Sequence, residues 1–218
     1  WIRVAAGLSA REVVEVNAEG GQLLPAAQGL AGVIVTGSAA FVTDRAPWSE
    51  RTADWLRQAA EEGTPLLGIC YGHQLLAHAL GGQVDYNPAG RESGTVFIDL
   101  HPPAFEDPLF AAMPARFAAH ATHLQTVLRP PAGATVLARS EQDQCHAFRW
   151  GANAWGMQFH PEFATHHMRG YVNARADCLR RHGRCPRTVA SEVSAAPQAR
   201  QLLRRFVQHA RTHPQQPR

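Results

Sequence analysis

The 218-residue chain contains no lysine; all 21 of its basic residues are arginine. That excludes Schiff-base chemistry, a pyridoxal-phosphate anchor and the lysine of a phosphate-binding P-loop. Cysteine is scarce too. Cys70, Cys145, Cys178 and Cys185 form no Cys-x-x-Cys pair and are too few for a disulfide framework, so a reducing, cytoplasmic setting is the expectation. No apolar run approaches the ~18 residues of a membrane span. Trp1-Ile-Arg-Val-Ala-Ala lacks the basic-then-apolar order of a secretory signal. No glycine-rich nucleotide loop and no internal repeat is visible. What remains is the composition of a globular domain, 45% hydrophobic and 18% charged, long enough to bury a sizeable core.

Charge is unevenly spread. Residues 1–165 hold ten arginines against sixteen acidic residues, whereas residues 166–218 hold eleven arginines against Asp177 and Glu192 alone. One reading is a basic arm for an acidic partner or nucleic acid; the other is arginine-rich solvent faces on two terminal helices. No aromatic residues interleave with those arginines to stack on bases, which favours the second.

Two apolar runs, Gly32–Gly37, bounded by glycines, and Pro65–Ile69, have the pattern of strands buried on both faces. Val13–Val16 reads as another strand. Ser49–Glu62 and Gln74–Leu80 read as helices, the first stopped by Gly63. Residues 83–159 look strand-rich, at Gln83–Tyr86, Thr95–Leu100, Arg116–His120, Thr135–Arg139, Cys145–Trp150 and Ala154–Phe159. Helices are expected at Thr165–Arg181 and Pro197–Arg211, with a disordered tail at His213–Arg218. Trp1–Leu8 looks helical, so the first strand of a doubly wound fold is expected upstream of Trp1. The pattern predicts an α/β, doubly wound and mostly parallel sheet with a small antiparallel addition.

Two segments carry chemistry. In Pro65-Leu66-Leu67-Gly68-Ile69-Cys70-Tyr71-Gly72-His73-Gln74, a buried strand runs into a cysteine and then a helix. This is the form of a nucleophile elbow, and the helix N-terminus favours a thiolate. The alternative is a buried structural cysteine. In Phe159-His160-Pro161-Glu162-Phe163, a strand ends at a histidine with a carboxylate two residues on. His160 can serve Cys70 as base and Glu162 can orient His160. His160, His166 and His167 could instead be metal ligands, but their spacing matches no familiar zinc pattern.

Together the segments resemble the class I glutamine amidotransferases, the Cys-His-Glu triad family. Cys70-Tyr71-Gly72-His73-Gln74 matches the family's Cys-x-Gly-x-Gln elbow and Phe159-His160-Pro161-Glu162 its second signature. The elbow is most similar to that of the GMP synthase amidotransferase domain and its stand-alone relatives. The resemblance spans about Val13 to Phe163. It implies a flavodoxin-like domain over residues 1–164, with residues 165–218 a helical extension packed on it. It implies Cys70, His160 and Glu162 as catalytic residues. An oxyanion hole would come from Gly37, Ser38 and the Tyr71 N–H, although Thr36-Gly37-Ser38-Ala39-Ala40 departs from the family's Gly-Gly-Pro. Gln74, Thr122 and His123 would bind substrate, Thr122 and Gln125 replacing the family's Ser and Asp; a packing glutamine and a structural His123 are the alternatives. His73 would be a supporting residue.

The implied activity is hydrolysis of the glutamine side-chain amide to glutamate and ammonia, without metal or organic cofactor, for a synthetase partner. A γ-glutamyl hydrolase or peptidase with the same triad is the nearest alternative. An inactive binding or regulatory module is the alternative of another class.

Overall fold

Leu66 and Leu67 point to opposite faces of one strand, and both are fully buried. Each belongs to a different apolar core, so the sheet lies between two layers of helix. The computed structural model describes residues 1–212; the tail expected at His213–Arg218 lies outside the described residues. In chain order the elements are α1 (Ile2–Ala6), β1 (Val33–Val35), α2 (Pro47–Glu61), β2 (Leu66–Ile69), α3 (Tyr71–Ala79), β3 (Gln83–Tyr86), β4 (Glu92–Leu100), β5 (Arg116–His123), β6 (Gln125–Arg129), β7 (Thr135–Arg139), β8 (Ala147–Trp150), β9 (Ala154–Met157), α4 (Thr165–Ala174), α5 (Ala176–Arg181), α6 (Pro186–Glu192) and α7 (Ala199–Thr212).

The main sheet has strand order β1-β2-β9-β8-β7-β4-β5. β1, β2 and β9 run parallel, and the pairings beyond β9 are antiparallel. The antiparallel part is therefore larger than the small addition read from the sequence. Short turns join β7, β8 and β9, and a turn cannot make the crossover a parallel pair requires. β3 and β6 form a separate antiparallel ribbon. Val13–Val16, expected as a strand, has no strand partner among the described residues, and Val14 stands 80% exposed. Its β-branched residues favour extended backbone, but without an adjacent ladder they form no sheet.

One core holds Leu67, Ile69, Trp155 and Phe159 under α7, whose Leu202, Leu203 and Phe206 recur at helical spacing. The other sets Leu66 and Phe148 against Leu56 of α2 and Leu75 and Leu76 of α3. The helix expected at Thr165–Arg181 is two helices, turned at Arg175 so that Leu179 joins Met168 and Val172 in a third small core with Val189 of α6. This core rests on β4, where a Cβ added at Gly94 would lie 3.3 Å from Val189 Cγ1.

Several C-terminal arginines serve as fasteners. Arg169 donates to Val193 O at 3.1 Å, Arg205 to Leu109 O at 2.9 Å, and Arg211 pairs with Glu12.

β1, β2 and α3 approach so closely that side chains are excluded. A Cβ at Gly72 would fall 2.2 Å from Val35 O, and one at Gly68 would fall 2.3 Å from Gly72 O. Neither backbone oxygen can move aside without shifting the sheet. Gly72→Ala is therefore expected to destabilise the chain by about 3 kcal/mol, read from its denaturant midpoint. A loss within about 0.5 kcal/mol, the range of a neutral surface change, would contradict this packing.

Candidate active site

Cys70 terminates β2 and caps α3 with φ 53° and ψ −104°, a left-handed backbone that a non-glycine residue adopts at a cost of ~1–3 kcal/mol. Its N–H donates to Met157 O at 2.8 Å, and its carbonyl accepts the Gln74 N–H at 3.1 Å. The side chain is thus pushed out of the sheet at the parallel edge, where Sγ lies 3.9 Å from Thr122 O.

His160 follows β9 and is held by its own N–H, which donates to His120 O on β5 at 2.7 Å. Its Nδ1 lies 2.7 Å from Glu162 Oε1. Nε2 makes no hydrogen bond and is the atom left for the thiol. The ring stacks on Phe163, centroids 4.2 Å apart and planes at 14°. Gly37, after β1, roofs the pair: a Cβ there would lie 3.1 Å from His160 Cε1 and 3.6 Å from Cys70 Cβ. The three segments therefore meet at one sheet end.

Charge couples these groups. Burial pushes the Cys70 thiol pKa up, but the neighbouring imidazolium of His160 more than offsets this and brings it below the ordinary thiol range. Burial likewise disfavours a charged His160, yet Glu162 and Cys70 hold its pKa above the usual histidine range. The arrangement favours a thiolate–imidazolium pair with a carboxylate behind it. His120, also buried, is pushed down to about 4 by burial and by the charge on His160, so it stays neutral beside the pair.

The other residues expected at the site divide into two groups. Ser38 turns its hydroxyl into its own loop, accepting the Ala40 N–H at 3.1 Å, so any contribution from Ser38 to an anion comes from its backbone. Tyr71 opens α3, where a first-turn N–H has no intrahelical acceptor, and its hydroxyl is tied to Ser49 at 2.5 Å. Gln74, by contrast, is buried and gives its amide protons to Gln125 O at 2.6 Å and Gln158 Oε1 at 2.8 Å. Thr122 is buried and reaches the site through its carbonyl. His123 faces inward, with Nε2 2.8 Å from Glu92 Oε2 and Nδ1 2.9 Å from Gln125 O. These bonds support the structural alternatives for Gln74 and His123. His73 is buried against Phe148 and pushed down to about 3 by burial, so it is a neutral packing residue.

A network that the sequence pattern did not reveal lies beneath Thr122. Glu92 Oε2 also meets His146 Nε2 at 2.6 Å, Glu92 Oε1 accepts from Ser140 at 2.6 Å, and Thr126 donates to Asp143 at 2.6 Å. Glu92, His123 and His146 are the one set of three or more His, Cys, Asp or Glu ligand atoms that converges among the described residues. Their short separations are direct hydrogen bonds. Two ligand atoms on one tetrahedral zinc stand roughly 3.3 Å apart, given Zn–N lengths near 2.0 Å. His160, His166 and His167 do not converge in this way, and His167 instead accepts the Ala164 N–H at 3.0 Å.

The family model for "Glutamine amidotransferase class-I" matches residues 6–175, most of the chain. The chain belongs to the class I glutamine amidotransferases. Its amidotransferase match extends past the expected boundary at residue 164 into α4. A GMP synthase [glutamine-hydrolyzing] from Aeropyrum pernix is 37% identical over 142 residues, covering 65% of this chain and 25% of that protein. The chain therefore spans about a quarter of that relative's length. A gamma-glutamyl-L-1-hydroxyisopropylamide hydrolase from a Pseudomonas species is 29% identical over 154 residues, covering 68% of this chain and 52% of that protein. A crystal structure of a glutamine amidotransferase from Methylobacillus flagellatus superposes with a TM-score of 0.74 at 24% identity, over 97% of this chain and 85% of the other. The expected α/β fold of this family is thereby established. No helix among the described residues is long and apolar enough to cross a membrane.

Breaking the network beneath the site should be costly. Glu92→Gln leaves two buried histidines without their carboxylate, with an expected loss of ~3–5 kcal/mol. Although burial opposes its charge, the hydrogen bonds from His123 and His146 hold the Glu92 pKa below the carboxylate range. Its stabilising contribution is therefore present above about pH 4.3 and is lost as pH falls further. His123, raised by Glu92 despite burial, contributes fully below about pH 6.5 and loses its contribution as pH rises through its raised pKa. Denaturation of both chains across pH should give the largest difference between about pH 4.3 and 6.5. A pH-independent difference would contradict these assignments.

Proposed function

We propose that the chain hydrolyses the side-chain amide of glutamine, with Cys70 as nucleophile, His160 as acid and base, and Glu162 orienting His160. The observation that carries this reading is the meeting of a strained cysteine elbow with a histidine whose far nitrogen is fixed by a carboxylate at 2.7 Å.

The Cys70 thiolate attacks the amide carbon, and charge develops on the carbonyl oxygen. The N–H groups of Tyr71 and of the Gly37–Ser38 loop are the donors for that oxyanion; loss of one such donor typically costs ~10²–10³ in rate. Collapse breaks the C–N bond, and the His160 imidazolium gives its proton to the departing nitrogen. Ammonia leaves and a γ-glutamyl thioester remains. His160, now neutral, takes a proton from water as the oxygen adds to the thioester carbon. The thiolate departs, glutamate is released and the ion pair is restored. The residues named here require no metal or organic cofactor for these steps.

Ammonia released this way would serve a synthetase. The likeness to a GMP synthase [glutamine-hydrolyzing] supports a synthetase as the consumer of that ammonia. A second reading, hydrolysis of γ-glutamyl amines, has support from the likeness to a γ-glutamylamide hydrolase. It uses the same residues and differs only in the leaving nitrogen.

Purified chain assayed with glutamine and γ-glutamyl amines is expected to form glutamate from at least one. Cys70→Ala should lower turnover by ~10⁴-fold or more while leaving the melting curve intact. Retained turnover would remove Cys70 as nucleophile. A folded wild-type chain whose Cys70 resists a glutamine-analogue affinity label would favour the inactive module. Activity should fall at acid pH as the thiolate is protonated, yet persist above about pH 6.5, where a free histidine has lost its proton. An alkaline limb centred there would contradict the Glu162 role.

A further inference from the structure

A cleft of about 230 Å³ lies between α2 and the 18–24 loop, and its walls include Gln22, Leu24, Trp48, Arg51, Thr52 and Trp55. The loop is held in shape by its own bonds. Asn17 Oδ1 accepts the Gly20 N–H at 2.8 Å, and Gln22 Oε1 accepts the Asn17 N–H at 2.7 Å. Trp55 Nε1 donates to Pro25 O at 2.8 Å and pins the end of the loop to α2. Trp48, Arg51, Thr52 and Trp55 fall at i, i+3, i+4 and i+7, on one face of that helix. The two tryptophans are thus two turns apart, about 10.5 Å along the axis, with the arginine between them.

The chemistry of these walls is one-sided. No carboxylate lines the cleft among the described residues. Arg51 has no ion-pair or hydrogen-bond partner among them, whereas Arg45 pairs with Glu50 and Arg57 with Asp54. Trp48 Nε1 has no acceptor there either, and the Thr52 hydroxyl is spent on Trp48 O at 2.7 Å. Indole walls suit a flat apolar ring, and an unpaired guanidinium suits a carboxylate, which it can grip through two parallel N–H bonds. An apolar cavity of about 150 Å³ accepts benzene, so about 230 Å³ leaves room for one ring and its anionic group.

The walls also reach the two segments that would hold the oxyanion. Ala18 lines the cleft, and the next residue, Glu19, has its Oε2 3.5 Å from Ser38 Oγ. The Trp48 ring centre lies 5.5 Å from that of Tyr71, and Ser49 meets the Tyr71 hydroxyl at 2.5 Å.

We propose that this cleft binds a small aromatic carboxylate as an effector, its occupancy being transmitted to Ser38 and Tyr71. A ligand seated between the indoles holds Trp48 against Tyr71 and the 18–24 loop against the Ser38 loop. The binding site stands apart from the amide-hydrolase reading; only the effect on turnover rests on it.

The test titrates benzoate, acetate and benzyl alcohol into the purified chain by calorimetry. Benzoate is expected to bind saturably, and the probes that lack its ring or its charge about 10-fold or more weakly. Arg51→Gln, an exposed substitution whose melting curve should match wild type, is expected to weaken benzoate about 10-fold and leave benzyl alcohol unchanged. Absence of saturable benzoate binding, or equal binding by Arg51→Gln, overturns the site. Transmission is read without turnover from hydrogen exchange: benzoate should slow exchange in residues 36–40 of wild type and leave Arg51→Gln unchanged at the same concentration. Unaltered exchange in saturated wild type overturns the effector role. With glutamine, kcat should rise along the binding curve at constant KM. A rise in KM alone means competition at Cys70 and overturns the proposal. If wild type hydrolyses neither glutamine nor γ-glutamyl amines, the amide-hydrolase reading fails, and calorimetry and exchange still decide the site.

Discussion

The left-handed backbone at Cys70 is the constraint on which the rest of the site depends. A cysteine with φ 53° would relax if its neighbours allowed it. They do not, because Gly68 and Gly72 let β1, β2 and α3 close around it to a distance no side chain could survive. The Cys70 N–H is held by β9 and its carbonyl by α3, so the turn is fixed from both sides. The strain of the elbow is offset by packing of the sheet and helix that it joins. The result is a sulfur held out of the core, facing the ring of His160, at the end of the parallel strands.

Several polar groups beneath and beside that sulfur hydrogen-bond to one another. Glu92 gathers His123, His146 and Ser140, and thereby fixes the end of β5 that brings Thr122 to the thiol. Gln74 bolts α3 to Gln125 and Gln158. Phe163 lies flat on His160 and joins the small core of α4 to α6. Residues after the second signature are therefore part of the site's wall. Buried networks of this kind rigidify a site when every partner is supplied.

Much of this was legible in the sequence because local rules dominated locally. The apolar run before Cys70 and the glycine after it specify a buried strand and a tight turn whatever the distant context. Likewise His160 and Glu162, two residues apart around a proline, meet by local geometry. The misreadings arose where partners are distant. Val13–Val16 has strand-forming residues but no ladder to join. β4 begins at Glu92, earlier than the run from Thr95 suggested, because a glutamate looks out of place in a strand until His123 and His146 are seen opposite it. Gln74 and His123, expected to bind substrate, also hydrogen-bond within the interior, to Gln125, Gln158 and Glu92. The direction of β7 and β8 depended on turns too short for a crossover, which composition alone does not register.

The central claim is that Cys70 is a thiolate at neutral pH because a Glu162-supported imidazolium stands beside it. The most direct measurement is the pH dependence of alkylation at Cys70, followed residue by residue by mass spectrometry in the wild-type chain and in His160→Ala. The account predicts a wild-type midpoint below the free-thiol value of about 8.5 and a shift to higher pH when the imidazole is removed. A wild-type midpoint at or above that of a free thiol, unmoved by His160→Ala, would contradict it.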